Sequence, residues 1–233
     1  MNTTSHAPEL IVMLTHNDRT VANASEIFDR CKTTQARYWG FKEEGLPFRE
    51  MKRLFSSMKD CGKKTVLEVV SYAEEECLEG ARMASDCEVD ILMGTRYFDS
   101  VNAFCKSHRL TSLPFVGSIS GRPSVLDGSI DSMIEEAKRY LSKGVRGIDL
   151  LGYRFTGDAR ALNRQFVAQI DAPVCLAGSV NSYQRLDEIR EANPWAFTIG
   201  GAFFEHAFGD AFEEQVDNVC AYMRQGRPQP PSR

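Results

Sequence analysis

Three charged residues interrupt or end apolar segments of the sequence: Lys42, Glu68 and Asp149. A charge in such a segment must be paired or face a polar site, because burying it alone costs several kcal/mol. One interpretation makes these residues an acid/base set around a carbonyl-bearing substrate, each tuning the pKa of the others. The alternative is a polar cluster that fills the protein interior. His16, in the segment Thr15-His16-Asn17-Asp18, is a further candidate acid/base or an ordinary loop histidine.

Two segments of small residues could bind an anion: Ala177-Gly178-Ser179-Val180 and Ile199-Gly200-Gly201-Ala202. Small side chains let backbone N–H groups approach a ligand closely, and a short helix predicted over Phe203–Phe208 would point its positive end at the same place. The residues predicted to bind a phosphate monoester are Gly178, Ser179, Gly200 and Gly201. The alternative is that these glycines only make tight turns.

Further polar residues follow the predicted strands and could bind the rest of a substrate. They are Asn17, Arg122, Tyr153 and Arg154. The two guanidinium groups suit a second carboxylate or phosphate on the substrate, since their planar donors match such anions. For each arginine the alternative is a salt bridge that orders a loop.

Eight short and nearly all-apolar segments alternate with longer amphipathic ones, as parallel strands buried on both faces do. The predicted strands are Leu10–Leu14, Tyr38–Phe41, Thr65–Val70, Val89–Met93, Pro114–Gly117, Gly147–Leu151, Pro173–Ala177 and Ala196–Gly200. The distance in sequence between successive strands is about the length of one strand–helix unit. We therefore predict an α/β fold with a single (β/α)8 TIM barrel over residues 9–225. An open doubly wound sheet is the alternative. Residues 1–8 and 226–233 are predicted to be flexible termini.

The amphipathic segments between the strands predict helices. Val21–Lys32 and Phe48–Cys61 each place apolar residues along one stripe. Gly62 and Gly144 stand where helix C-terminal caps belong. Asn181 or Ser182 can cap a helix predicted over residues 183–192. In a barrel of this kind the active site lies at the C-terminal ends of the strands, where the candidate residues above are found.

Composition limits the class of protein. The 233 residues include 28 Lys and Arg against 32 Asp and Glu, so the formal net charge of −4 argues against a nucleic-acid partner. No apolar run reaches the roughly 18 residues of a membrane span. Seven cysteines with no C-x-x-C pair indicate a reduced, cytoplasmic protein without a zinc site. No cofactor is predicted, and a divalent cation at His16, Glu68 and Asp149 is only an alternative. Exposed aromatic residues at positions 203, 204 and 208 would permit a homo-oligomer.

On the basis of these residues, the chain resembles the ribulose-phosphate-binding barrel superfamily. Its second half is similar to the N-acetylmannosamine-6-phosphate 2-epimerase group. The similarity lies in the turn Leu151-Gly152-Tyr153 and in the Pro-Val strand that ends at Gly178. The resemblance implies that the glycine pairs bind the phosphate of a sugar or keto compound. Where that group has its catalytic lysine, this chain has Val70-Ser71-Tyr72, and the nearest lysine is Lys42.

Two functions follow as predictions. The first is an isomerase, epimerase or aldolase-type lyase in which Glu68 or Asp149 removes a proton next to a carbonyl, and Lys42 or His16 stabilises the enolate. A narrower version uses Lys42 as a Schiff-base nucleophile, which requires a depressed lysine pKa. The second is a non-catalytic sensor of a phosphorylated metabolite, similar in layout to the glycerol-3-phosphate responsive antiterminator.

Overall fold

The computed structural model describes residues 7–225. Eight parallel strands form one sheet: β1 (Glu9–Met13), β2 (Tyr38–Lys42), β3 (Lys64–Ser71), β4 (Ile91–Thr95), β5 (Thr111–Leu113), β6 (Ile148–Leu150), β7 (Val174–Leu176) and β8 (Ala196–Ile199). Their order is β6-β7-β8-β1-β2-β3-β4-β5. The two ends of this order meet through one bridge between Phe115 and Asp149, beside which Asp149 N donates to Pro114 O at 3.1 Å. The sheet is therefore a nearly closed barrel, and the predicted fold class is confirmed.

Helices follow the strands around the barrel: α1 (Ala24–Cys31), α2 (Phe48–Asp60), α3 (Glu74–Asp86), α4 (Asp99–Ser107), α5 (Ile130–Ser142), α6 (Ala159–Gln169), α7 (Tyr183–Ala192), the one-turn α8 (Gly201–Phe204) and α9 (Phe212–Arg224). Each long helix buries an apolar stripe on the sheet, as α2 does with Met51, Leu54, Phe55 and Met58. Of the two predicted caps of α7, Ser182 is the one used, since its hydroxyl accepts from Arg185 N.

Side chains alternate between the two faces of each strand, and this alternation decides which residues point into the barrel. In β1, Leu10 and Val12 pack in the large core between sheet and helices, whereas Ile11 and Met13 belong to a smaller cluster inside the barrel. The same alternation puts Glu68 on the inner face of β3, two residues after Val66 of the inner cluster. Lys42 of β2 and Asp149 of β6 point inward by the same parity.

Two short hairpins stand at the C-terminal ends of the strands. The first pairs Thr15–His16 with Arg19–Thr20, and the second pairs Ser118–Ser120 with Val125–Asp127. The turn of the first hairpin is made by Asn17 and Asp18, both with positive φ, which Asn and Asp tolerate better than most residues.

Two strands lie elsewhere than the sequence indicates. The apolar pattern predicts the fifth strand at residues 114–117, but the strand is found at Thr111–Leu113, because the apolar run that follows it is a buried connection to the second hairpin. The fourth strand begins at Ile91, two residues later than expected. Of the termini predicted to be flexible, residues 1–6 and 226–233 lie outside the described residues, and Pro8 is buried.

The aromatic residues after β8 are not exposed, so that expectation is wrong. Phe203 and Phe208 are 1% and 3% exposed, and Phe204 is partly buried. Their rings pack on Phe212 of α9 and on one another. The predicted helix in this segment is also shorter than expected, ending at Phe204. A homo-oligomer stays a prediction, without these side chains to support it. Within residues 7–225, no helix combines the length and the apolar character of a membrane span.

Candidate active site

A cavity of about 350 Å³ opens at the C-terminal ends of the barrel strands, where the sequence predicts the active site. Most of the predicted site residues line it: His16, Asn17, Lys42, Glu68, Arg154, Gly178, Ser179, Gly200 and Gly201. They come from segments scattered across the sequence, and the barrel topology alone brings them together. Asp149, Arg122 and Tyr153 are not among the lining residues.

Lys42 lies between two carboxylates at the floor of this cavity. Its Nζ donates a hydrogen bond to Asp18 Oδ1 and lies 3.8 Å from Glu68 Oε1. The side chain is 11% exposed. Burial opposes the charged form, but the carboxylates of Glu68, Asp18 and Glu43 together outweigh it, and the pKa of Lys42 is raised above 10.5. Lys42 is therefore an ammonium ion at neutral pH.

The first hairpin brings Asp18 to Lys42. The Thr20 hydroxyl donates to Lys42 O at 2.7 Å, and Thr20 N donates to Glu44 O at 2.9 Å, so the hairpin is tied to the end of β2. Sequence reasoning placed Asp18 in a loop cluster but did not include it in the site. The Asn17-Asp18 pair at the turn was the available signal, because it favours a tight hairpin.

The raised pKa of Lys42 contradicts the narrower prediction of a Schiff-base nucleophile. That role requires an unprotonated amine, which a depressed lysine pKa supplies. Two neighbouring carboxylates have the opposite effect. The ammonium group of Lys42 suits a different role, the stabilisation of negative charge that develops on a substrate oxygen.

Asp149 lies below the cavity and is completely buried. Burial, with a further contribution from Glu68 that Lys42 partly offsets, raises the pKa of Asp149 well above its usual value of 3.8. Neither of its carboxyl oxygens has a hydrogen-bond partner among residues 7–225. Burial likewise raises the pKa of Cys175, its neighbour in register on β7. Asp149 is therefore buried below the cavity and is not among its lining residues, so its role as a base in contact with substrate stays a prediction.

Two glycine loops form one wall of the cavity. Gly178 and Ser179 have positive φ angles of 87° and 48°. A Cβ on Gly200 would come within 2.8 Å of Thr15 O, so only glycine fits there. Among residues 7–225, the backbone N–H groups of Gly178, Ser179 and Gly201 donate to no protein acceptor. The loops therefore leave three backbone donors available beside the cavity.

Charged side chains flank these loops. The Arg154 side chain lies against Gly178, where an added Cβ would come 2.6 Å from Arg154 Cγ. His16 stacks on Phe204 with ring centroids 5.3 Å apart, and its Nε2 lies 3.8 Å from Glu205 Oε1. Glu205, which sequence reasoning missed, also lines the cavity. His16 is therefore a lining residue held between an aromatic ring and a carboxylate.

Arg122 and Tyr153 do not line this cavity and are engaged in other contacts, so a role for them in substrate binding stays a prediction. Arg122 donates to Glu44 Oε1 at 2.5 Å and to Val70 O at 2.8 Å, which is the loop-ordering alternative. The Tyr153 hydroxyl donates to Arg185 O at 3.3 Å, and the Arg185 guanidinium lies over its ring.

The cavity contains no grouping suited to a metal ion. Over the whole described range, no cluster of three or more His, Cys, Asp or Glu side chains has a metal-binding arrangement. The cysteines are all free thiols, and only Cys61 is exposed. The ionisable groups at the floor of the cavity are Lys42, Asp18 and Glu68.

Comparison with known proteins gives structural neighbours. The chain is similar to the tryptophan synthase alpha chain of Legionella pneumophila subsp. pneumophila (12% identity, TM-score 0.64, 93% of this chain and 90% of that one). It is also similar to tryptophan synthase of M. tuberculosis in the aminoacrylate- and BRD0059-bound form (13% identity, TM-score 0.68, 95% of this chain and 94% of that one). A further neighbour is the native KDPGal structure (11% identity, TM-score 0.65, 95% of this chain and 96% of that one).

No protein-family model matches the chain. No curated protein sequence matches it either. At these identities the likeness to solved structures is one of fold. The neighbours support the (β/α)8 barrel fold, whereas the resemblances to the ribulose-phosphate-binding superfamily and to the epimerase group stay predictions.

Proposed function

We propose that this protein is an enzyme that acts on a small phosphorylated sugar or keto compound by moving a proton next to a carbonyl group, as an isomerase, an epimerase or an aldolase-type lyase. One observation carries the proposal. The buried ammonium group of Lys42, held by Asp18 and Glu68, shares a cavity with two glycine loops whose backbone donors have no protein acceptor.

The phosphate would bind at the loops. Backbone N–H groups of Gly178, Ser179 and Gly201 donate to its oxygens, and Arg154 adds a positive charge beside Gly178. Glu205 on the same wall opposes an anion, so the phosphate lies toward Gly178 and away from that carboxylate. Binding at this distance from the reacting atoms holds the carbonyl end of the substrate against the cavity floor.

Proton transfer would take place at the floor. Glu68 takes the proton next to the carbonyl, and the electrons of the broken C–H bond form an enolate. The Lys42 ammonium stabilises the negative charge on the enolate oxygen, while Asp18 holds the ammonium in place. Return of the proton to a different carbon or face gives an isomer or epimer. In a lyase, Glu68 instead takes the proton of a hydroxyl on the carbon β to the carbonyl. The electrons of the broken C–C bond then form the enolate, and the hydroxyl carbon leaves as a second carbonyl compound.

The neighbours support an enzyme in general terms, since tryptophan synthase is an enzyme of the same fold. A metabolite sensor would need the glycine loops but would have no use for a lysine buried between two carboxylates. The proposal places the protein in the cytoplasm, where small phosphorylated metabolites occur.

A thermal-shift screen tests the binding half of the proposal. Phosphorylated sugars and keto acids are compared with their unphosphorylated counterparts, and a ligand at 100 times its dissociation constant should stabilise the protein by about 2.7 kcal/mol. We expect stabilisation by phosphorylated compounds only. Equal responses to both members of each pair, or none, would contradict a phosphate site.

A pair of variants at Gly201 makes the screen specific. A Cβ there has room, with its nearest neighbours Glu205 Oε1 and His16 Cδ2 both 3.7 Å away. Gly201→Asp places a negative charge against the bound phosphate and should abolish the shift. Gly201→Asn has the same shape without the charge and should retain most of it. Turnover of the stabilising compound then distinguishes an enzyme from a sensor.

A further inference from the structure

A second cavity, of about 1070 Å³, lies at the opposite end of the barrel from the candidate active site. It is lined by residues at or before the N-terminal ends of strands: Ile91 begins β4, Pro173 precedes β7 and Trp195 precedes β8. The remaining lining residues come from α4, from the connection between α4 and β5, from β5 itself and from the loop between α5 and β6. Nothing in the proposed chemistry uses this end of the protein.

The cavity exists because the barrel is weakly joined there. β5 and β6 are each three residues long and stand at the two ends of the strand order. The bridge between them, Phe115 to Asp149, lies on the C-terminal side of β5. β5 therefore pairs with β4 along one edge, and its other edge faces the cavity.

The floor of this cavity is apolar and deep. Ile91 and Leu113, 7% and 2% exposed, both belong to the cluster of side chains inside the barrel. Trp195 packs against that cluster and supplies an aromatic surface. A space that reaches barrel-interior side chains admits a small molecule and not the surface of a folded protein.

The rim of the cavity is basic. Lys106, Arg109 and Arg146 line it, and no acidic residue is among the lining residues. Within residues 7–225 none of the three is in an ion pair. Lys106 donates only to the carbonyl oxygen of Lys143. Three unpaired cations are notable in a chain with a formal net charge of −4.

We propose that this cavity, named here the basal cavity, binds a small organic anion with an apolar or aromatic body, such as an aromatic or acyl carboxylate or phosphate ester. The apolar body lies on Ile91, Leu113 and Trp195, and the anionic group meets the guanidinium groups of Arg109 and Arg146. Guanidinium groups suit such an anion because their planar donors pair with two of its oxygens.

The probe for the test is 8-anilinonaphthalene-1-sulfonate, which joins an aromatic body to a sulfonate. Its fluorescence is titrated with the wild-type protein and with Arg109→Asp combined with Arg146→Glu. Aspartate is chosen because Arg109 has a φ of 55°, which Asp tolerates. We expect saturable binding to the wild type, and at least tenfold weaker binding to the variant. N-phenyl-1-naphthylamine, an uncharged dye of similar shape, should bind both proteins equally.

The control combines Arg30→Glu with Arg164→Asp, which changes the net charge equally on exposed helix positions outside the cavity. This control should bind the sulfonate as the wild type does. Equal sulfonate binding by the cavity variant and the wild type would overturn the proposal, as would a loss that the control shares. The single variant Arg146→Glu is titrated as well, and the denaturant-unfolding midpoint of every protein is measured. A variant that keeps the wild-type midpoint but binds the sulfonate more weakly has lost binding and not folding.

Discussion

At the C-terminal end of the barrel Lys42 lies between two carboxylates, whereas at the N-terminal end Arg109 and Arg146 have no ion-pair partner within residues 7–225. The first cavity is about a third the size of the second, 350 against 1070 Å³. A buried cation held by carboxylates is fixed in place and close to groups that exchange protons. Unpaired cations on a rim attract an anion and have no nearby base. This contrast underlies the proposals of a reaction at the first end and of anion binding at the second.

The largest effect should come from the proposed base. Glu68→Gln keeps the shape of the side chain but cannot take a proton, so turnover of the compound identified by the thermal-shift screen should fall about 100-fold to 10,000-fold. Ligand-induced stabilisation should persist, because the phosphate loops are unchanged. Steady-state kinetics and the thermal shift are measured on the same preparation, and turnover that survives would move the chemistry away from Glu68.

Removal of one cation from each end tests the contrast directly. Lys42→Met leaves Asp18 and Glu68 close together without their counter-ion and should lower the free energy of unfolding by about 3–5 kcal/mol. Arg146→Met removes an unpaired, exposed charge and should change it by less than about 0.5 kcal/mol. Urea unfolding of both variants gives the comparison. Similar losses of unfolding free energy at the two positions would mean that Lys42 is held no more strongly by its neighbours than Arg146 is.

Asp149, in the barrel interior, gives a pH test. Because its pKa is raised above 3.8 in the folded protein, its contribution to stability is fully present below that pH and is lost as the pH rises. Asp149→Asn removes this loss, so the stability of the variant relative to wild type should increase between pH 4 and pH 7, by at most about 1.4 kcal/mol per pH unit. Asp171→Asn, at an exposed carboxylate, is the control and should show a much smaller change with pH.

A small effect is also expected at a salt bridge that lies outside the cavity of the candidate active site. Arg122→Gln removes a half-exposed pair with Glu44 and should cost no more than about 1 kcal/mol, decreasing in high salt. Urea unfolding at low and high salt measures it. A loss as large as that of Lys42→Met would show that this exposed pair contributes as much to stability as the buried pairs at the floor of the cavity.

Strand positions are predictable from the sequence where both faces of a strand are apolar, as in β1 and β3. The prediction is wrong for β5, because its residues Thr111 and Ser112 are polar and do not give the apolar pattern of a buried strand. The neighbouring run from Pro114 to Gly117 is more apolar and therefore has the pattern of a buried strand. An apolar pattern reports burial, and here a connection is more buried than a strand.

The candidate site is predictable from strand ends, but most of its pairings are not. The positions of Lys42 and Glu68 at the ends of adjacent strands predict an ion pair, and the two side chains lie 3.8 Å apart. The contact of Lys42 with Asp18 depends on how the first hairpin docks, and the contact of Arg122 with Glu44 joins residues far apart in sequence. A single sequence has no local signal for such contacts. The packing of Phe203 on α9 is unpredictable for the same reason.

The single bridge between β5 and β6 has a consequence for the behaviour of the protein under stress. A barrel joined at seven places by paired strands and at the eighth by one bridge is a curled sheet whose two edges meet only at that bridge. Loss of that bridge would let the two edges separate, and each could then pair with another chain. Aggregation on mild heating should therefore begin by exposure of β5 and β6, long before the helices on the other side of the barrel unfold.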